Sequence, residues 1–302
     1  MSSTAFAPAR SEKFLPSNVT TIVSLISLVL LTAFASSGKP DPLIMNSLHL
    51  SSVELRVADL ARSVDFYAGK LGFLVTSRDA ARAELAVEKN SPAILTLTED
   101  RTAPAAPRDA AGLFHAALLL PSRPALGAWL RGAAERGVEF EGFSDHGVSE
   151  AIYFSDPDGN GLEFYRDRSR DQWPPAADGE VAMFTRPLAL PSLLAEAAPA
   201  SATPLAGARW GHLHLRVTDL ARSERFYRNA LGVTLTQGNF PGARFLAADG
   251  YHHHLGLNTW GAPHQPQPAG ALGLVQATFA RTGAAENIAR DPDGLTLRVV
   301  VA

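Results

Sequence analysis

The chain repeats itself. Val53-Glu-Leu-Arg-Val-Ala-Asp-Leu-Ala-Arg-Ser-Val-Asp-Phe-Tyr-Ala-Gly-Lys-Leu-Gly-Phe73 returns as Leu213-His-Leu-Arg-Val-Thr-Asp-Leu-Ala-Arg-Ser-Glu-Arg-Phe-Tyr-Arg-Asn-Ala-Leu-Gly-Val233. A repeat constrains the fold more than any local pattern, because each copy must form the same unit and bury its apolar face against a neighbour. Each copy reads as a strand followed by a short amphipathic helix, with Asp59 or Asp219 as cap and Phe66-Tyr67 or Phe226-Tyr227 as buried stripe. Further strands are expected at Ala83 to Val87, Ala93 to Leu97, Ala243 to Ala247 and Tyr251 to Leu257.

A weaker repeat follows each of these. In its first copy Leu113 to Leu120 is a strand and Arg123 to Arg136 a helix closed by Gly137. A hairpin of Ala151 to Ser155 and Gly161 to Tyr165 then turns on Asp156-Pro-Asp-Gly-Asn. The second copy runs from Gly273 to Asp291-Pro-Asp-Gly-Leu-Thr-Leu-Arg298, shortened where the helix should be. The chain is therefore α+β, four βαβββ modules in two domains, residues 48–168 and 209–302. Between them lies an Ala- and Pro-rich linker, residues 169–208, with a short helix near Ser192 to Ala198.

With period-2 alternation Glu163 shares a face with Gly161 and Tyr165, while Leu162 and Phe164 face the other way. A carboxylate so placed needs water or a partner. There is no cysteine, so any metal must be held by His, Asp or Glu. A net charge of −3 and the lack of a basic run with interleaved aromatics exclude nucleic acid as partner.

Residues 1–44 are of a different kind. Arg10 and Lys13 precede an uncharged apolar run, Val19 to Phe34, and Ala33-Phe34-Ala35 has the form of a small-residue cleavage site. The run is shorter than the roughly 20 residues that span a bilayer. It reads as a signal, as an anchor, or as sequence upstream of a true start at Met45. The chain is expected in the cytoplasm, the alternative being export or membrane anchoring through residues 19–35.

Four such units, with Asp-Pro-Asp-Gly turns closing the even ones, resemble the vicinal oxygen chelate superfamily of glyoxalases, bleomycin-resistance proteins and type I extradiol dioxygenases. Tyr251-His-His-His-Leu-Gly-Leu-Asn-Thr-Trp260, Asp145-His146 and Asp156-Pro-Asp-Gly-Asn look like its catechol 2,3-dioxygenase branch. In this superfamily two units pair into a half-open cup, with ligands from the first and last strands of each. Unit one offers Ser52 and Thr96, and unit four Leu274 and Arg298, none of them a credible ligand. Unit two offers His115 and Glu163, and unit three His212 with one of His252, His253 and His254. Pairing unit two with unit three gathers every ligand-type group into one cup. Two His and one carboxylate with open positions is the donor set of non-heme Fe(II) oxygenases, and Mn(II) or Zn(II) could occupy it.

The resemblance implies that His115, His212 and Glu163 bind the metal and that Tyr153 and His146 flank it. A further His of the 252–254 cluster would handle protons. Alternation favours His254 for that role, with His253 as runner-up. His214 is expected to stand behind His212, and His49 and His264 on the surface. The implied activity is extradiol cleavage of catechol or a substituted catechol by O2. The competing readings are a glyoxalase-like isomerase or thiol transferase, and a metal-free binding protein. A homo-oligomer is compatible with each.

Overall fold

In β1 (Leu48–Val57), Val53, Leu55 and Val57 are buried while Ser52, Glu54 and Arg56 are only half-buried, which gives the strand one core face and one open face. This computed structural model describes residues 48–107, 109–176, 179–261 and 265–302; the segment 1–44 and His264 lie outside the described residues. Among those described, no helix is long and apolar enough to cross a membrane.

Helix α1 begins at Leu60–Val64, where the Asp59 side chain accepts from the Arg62 amide, and widens into a π-helical stretch over Asp65–Leu71. Gly72, at φ 99°, ends it. Strands β2 (Leu74–Arg78), β3 (Arg82–Ala86) and β4 (Leu95–Glu99) complete the first unit. The second holds β5 (Gly112–Leu119), α2 (Arg123–Glu135), β6 (Gly142–Asp145), β7 (Ser149–Ser155) and β8 (Gly161–Asp167). The linker carries β9 (Arg186–Pro187) and α3 (Leu190–Ala195). The third unit comprises β10 (Arg209–Arg216), α4 (Leu220–Leu231), β11 (Thr234–Gln237), β12 (Ala243–Ala247) and β13 (Leu255–Asn258). The fourth has strands alone among its described residues: β14 (Gly273–Arg281), β15 (Asn287–Arg290) and β16 (Thr296–Val301).

The sheets join units across the two halves of the chain. A seven-stranded sheet, β15-β16-β14-β1-β4-β3-β2, combines units four and one. A nine-stranded sheet, β11-β12-β13-β10-β5-β8-β7-β6-β9, combines units three and two through the antiparallel pair β10 and β5. The turns bind the units the other way. Tyr67 of α1 donates to Asp156 at 3.0 Å and the Ala58 amide to Asp158 at 3.1 Å. In the second half Tyr227 of α4 donates to Asp291 at 2.8 Å and the Thr218 amide to Asp293 at 3.0 Å. Aromatic rings fill the space between, with Trp129 against Phe154 and Phe164, and Phe73 against Phe164 and Trp210.

Two expectations are corrected. The last strand of the third unit starts at Leu255 and not at Tyr251, because Asp249 and Gly250 both take positive φ in a tight turn before it. The counterpart of His115 in unit four is Gln276, not Leu274: Glu54 pairs with Gln276 as His214 pairs with His115. Both strands carry a bulge just before that position, at Phe114 and Val275, which marks the two positions as equivalent. The linker packs on the sheet. The Val181 amide donates to the Thr236 carbonyl on β11 and the Phe184 amide to the His146 carbonyl beyond β6, so residues 181–187 cross from one edge of the nine-stranded sheet to the other.

Candidate metal centre

The open face of β10 presents His212 and His214, that of β5 His115, and that of β8 Glu163 with Tyr165 and Asp167. β8 runs close beside β5 because position 161 is glycine, where a Cβ would stand 2.0 Å from the Phe114 carbonyl oxygen. The parallel register then sets Glu163 opposite Ala117, which is opposite His212.

One nitrogen each of His115 and His212 and one oxygen of Glu163 lie within 4.8 Å of one another, and all three residues are buried. Glu163 Oε2 is 2.9 Å from His115 Nε2 and 3.3 Å from His212 Nε2. His115 Nε2 nevertheless has no hydrogen-bond partner in line with it, as expected of a lone pair aimed past the carboxylate at a shared point. Burial would raise the Glu163 carboxyl, but His212 and His115 facing it outweigh that and hold it well below the usual carboxylate range. Burial also lowers His212. A divalent cation takes an ionised carboxylate and an unprotonated imidazole nitrogen, and with one oxygen and two ring nitrogens converging the donor set fits a metal.

Tyr153, across from Glu163 in the β7–β8 ladder, places its hydroxyl 2.7 Å from His146 Nε2. His146 Nδ1 is 2.8 Å from the Phe184 carbonyl, which can only accept. The ring is therefore protonated at Nδ1, and Tyr153 donates to Nε2. Burial, with Glu163 close by, raises the Tyr153 hydroxyl well above its ordinary value and keeps it protonated.

His252, His253 and His254 precede β13, so strand alternation does not govern them. His254 turns away from the cup: its ring lies against Tyr251 at 4.8 Å, and it lines a small cavity with His49, Trp210 and Gly211. His253 takes the position expected of His254. Its ring centroid is 4.1 Å from that of His212 and 5.0 Å from that of Phe245, and it keeps 8% exposure against 0% for His252 and 1% for His254. His214 packs on His115 at 4.9 Å and accepts from Asn258 at 3.1 Å. Phe114, Trp260 and Phe245 surround His214 and complete an aromatic wall. His49 is half-buried rather than on the surface.

Sequence reasoning passed over two participants. Asp167 contacts His252 at 2.8 Å, and the Phe184 carbonyl holds His146. Asp167 was open to the alternation that singled out Glu163, since it lies on the same face of the same strand. The Phe184 carbonyl has no side-chain signature.

Repeated units of strands and helices, two of them joined in one sheet whose open face gathers two imidazoles and a carboxylate, define a fold with a site able to hold a metal. The profile of the glyoxalase/bleomycin resistance protein/dioxygenase superfamily matches residues 49–164 and 209–288, and the chain belongs to that superfamily. Over 231 residues it is 41% identical to a catechol-2,3-dioxygenase of Bacillus subtilis (strain 168), covering 75% of this chain and 80% of the relative. Among solved structures, a Bacillus subtilis protein assigned as a dioxygenase superposes with TM-score 0.58 at 12% identity over 84% of each chain. Glyoxalase I of Zea mays superposes with TM-score 0.52 at 17% identity over 84% of this chain and 92% of its own. At these identities the likeness is one of fold.

Proposed function

We propose that the chain is an extradiol dioxygenase that opens the ring of catechol or a substituted catechol beside its hydroxyls, with Fe(II) as the metal and Mn(II) or Zn(II) as alternatives. The observation that carries this reading is the meeting of His115, His212 and Glu163 in one buried cup beside the hydrogen-bonded pair His146 and Tyr153. The relation to a catechol-2,3-dioxygenase supports it. When bound, Fe(II) supplies open positions at which catechol and O2 meet in one coordination sphere.

The protein's own groups do the rest. The wall of Phe114, His214, Phe245 and Trp260 offers a flat ring aromatic edges and faces to pack against. Tyr153, whose hydroxyl hydrogen points to His146 Nε2, keeps oxygen lone pairs that accept from a substrate hydroxyl. His253 takes and returns the substrate proton in place of His254, since it is the member of its cluster beside His212. An isomerase of the glyoxalase kind would want a second carboxylate where His253 stands.

Anaerobic reconstitution with Fe(II), followed by catechol and air, should yield a yellow ring-fission product. Turnover of methylglyoxal hemithioacetal with Ni(II) or Zn(II), without any ring-fission product, would transfer the site to the isomerases. A chain that retains no metal at all would leave only a binding role.

A further inference from the structure

Behind His253 runs a buried chain of polar contacts that the reaction above does not use. His253 Nδ1 lies 2.8 Å from His252 Nδ1, and His252 Nε2 lies 2.8 Å from Asp167 Oδ1. Two ring nitrogens that close must divide the roles of donor and acceptor between them. Asp167 decides which is which. A carboxylate only accepts, so the His252 proton sits on Nε2 and its Nδ1 carries the lone pair. His253 must then donate from Nδ1, which leaves its Nε2 with the lone pair.

The surroundings hold this assignment in place. His252 is fully buried, with Trp173 against its ring at 5.7 Å. Asp167 also accepts from the Tyr251 hydroxyl at 3.0 Å, and Tyr251 meets Tyr165 at 2.8 Å, which fixes the carboxylate against His252.

We propose that Asp167 and His252 are positioning residues that lock His253 in its Nδ1–H tautomer, so that Nε2 is the atom that meets a substrate hydroxyl. In the transfer the O–H bond breaks, an Nε2–H bond forms, and the electron pair stays on the substrate oxygen. The identity of that hydroxyl rests on the function proposed above; the tautomer does not.

Asp167→Asn tests the lock. The amide of the new side chain donates to His252 Nε2, which moves the His252 proton to Nδ1 and in turn forces the His253 proton onto Nε2. In histidine-labelled, metal-free protein, long-range 15N–1H spectra assigned with a His253→Asn control should show His253 protonated at Nδ1 in the wild type and at Nε2 in Asp167→Asn. With Fe(II) and catechol, kcat should fall by roughly a hundredfold or more while KM stays within about threefold, as expected when a base is presented in the wrong tautomer. A wild-type His253 protonated at Nε2, or at both nitrogens, overturns the proposal whether or not the variant folds. So does a tautomer that Asp167→Asn leaves unchanged. A wild-type chain without ring-cleaving activity in which the tautomer still switches supports the lock and removes the oxygenase reading instead.

Discussion

Glu163 retains 2% exposure, His212 1% and His115 6%, so each of the three depends on the others for its polar contacts. All three point into the cup and not among the apolar core, where their loss would cost packing. Glu163→Gln or His212→Ala should therefore weaken metal binding by more than about a hundredfold, beyond the 10- to 100-fold typical of groups that only support a ligand. The fold should survive. Metal content after reconstitution, with circular dichroism of the same samples, checks both halves of the statement, and unchanged metal content in either variant removes the site. Glu163 was legible because alternation on β8 fixes its face, and His115 and His212 because the resemblance places ligands on the first strands of the units, although β5 and β10 both shift register beside them. The neighbouring His cluster was not, because the turn at Asp249 and Gly250 delays β13 until Leu255 and turns His253 rather than His254 inward.

At the scale of elements, the Asp-Pro-Asp-Gly turns and the Phe-Tyr helices act as paired parts. Asp156 accepts from Tyr67, from the Asp158 and Asn160 amides and from the Asn160 side chain; Asp291 accepts from Tyr227 and from the Asp293 and Leu295 amides. Tyr67→Phe and Tyr227→Phe each remove one buried donor, and each should cost about 1–3 kcal/mol in urea unfolding. A loss at one site only would mean that the halves are not held alike.

Where β7 meets α2 and β8, Glu150 is clasped by Arg123 at 2.7 Å, Arg166 at 2.7 Å and Arg168 at 3.1 Å. Burial would raise its carboxyl, but the Arg123 and Arg166 guanidiniums hold it below the ordinary value. A carboxyl depressed by folding contributes stability above its unfolded value, about 4.3, and loses it as pH falls toward and through the folded value. Glu150→Gln should flatten the acid side of the stability curve in that window. An unchanged acid limb in thermal melts run across that range would show that the cluster does not drive acid unfolding.

Across the whole molecule, the ligands come from both halves of the chain, His115 and Glu163 from the first and His212 from the second. The β5–β10 and β1–β14 pairs join those halves edge to edge. Residues 46–208 and 209–302, produced as separate chains, should each fail to bind metal tightly and should recover binding on mixing. Calorimetric titration with Zn(II) as probe measures this directly, and tight binding by either half alone would contradict the arrangement.

Taken alone, the sequence determined the repeated units, their caps and turns, and the strand face of Glu163, because repeats, turn chemistry and alternation are local and survive in one dimension. Tertiary structure alone decided how the linker closes over the sheet, which histidine of the cluster turns inward and what stands behind it. Those features depend on bulges, tight turns and backbone carbonyls, whose effect on a distant side chain is set only when the strands are packed side by side.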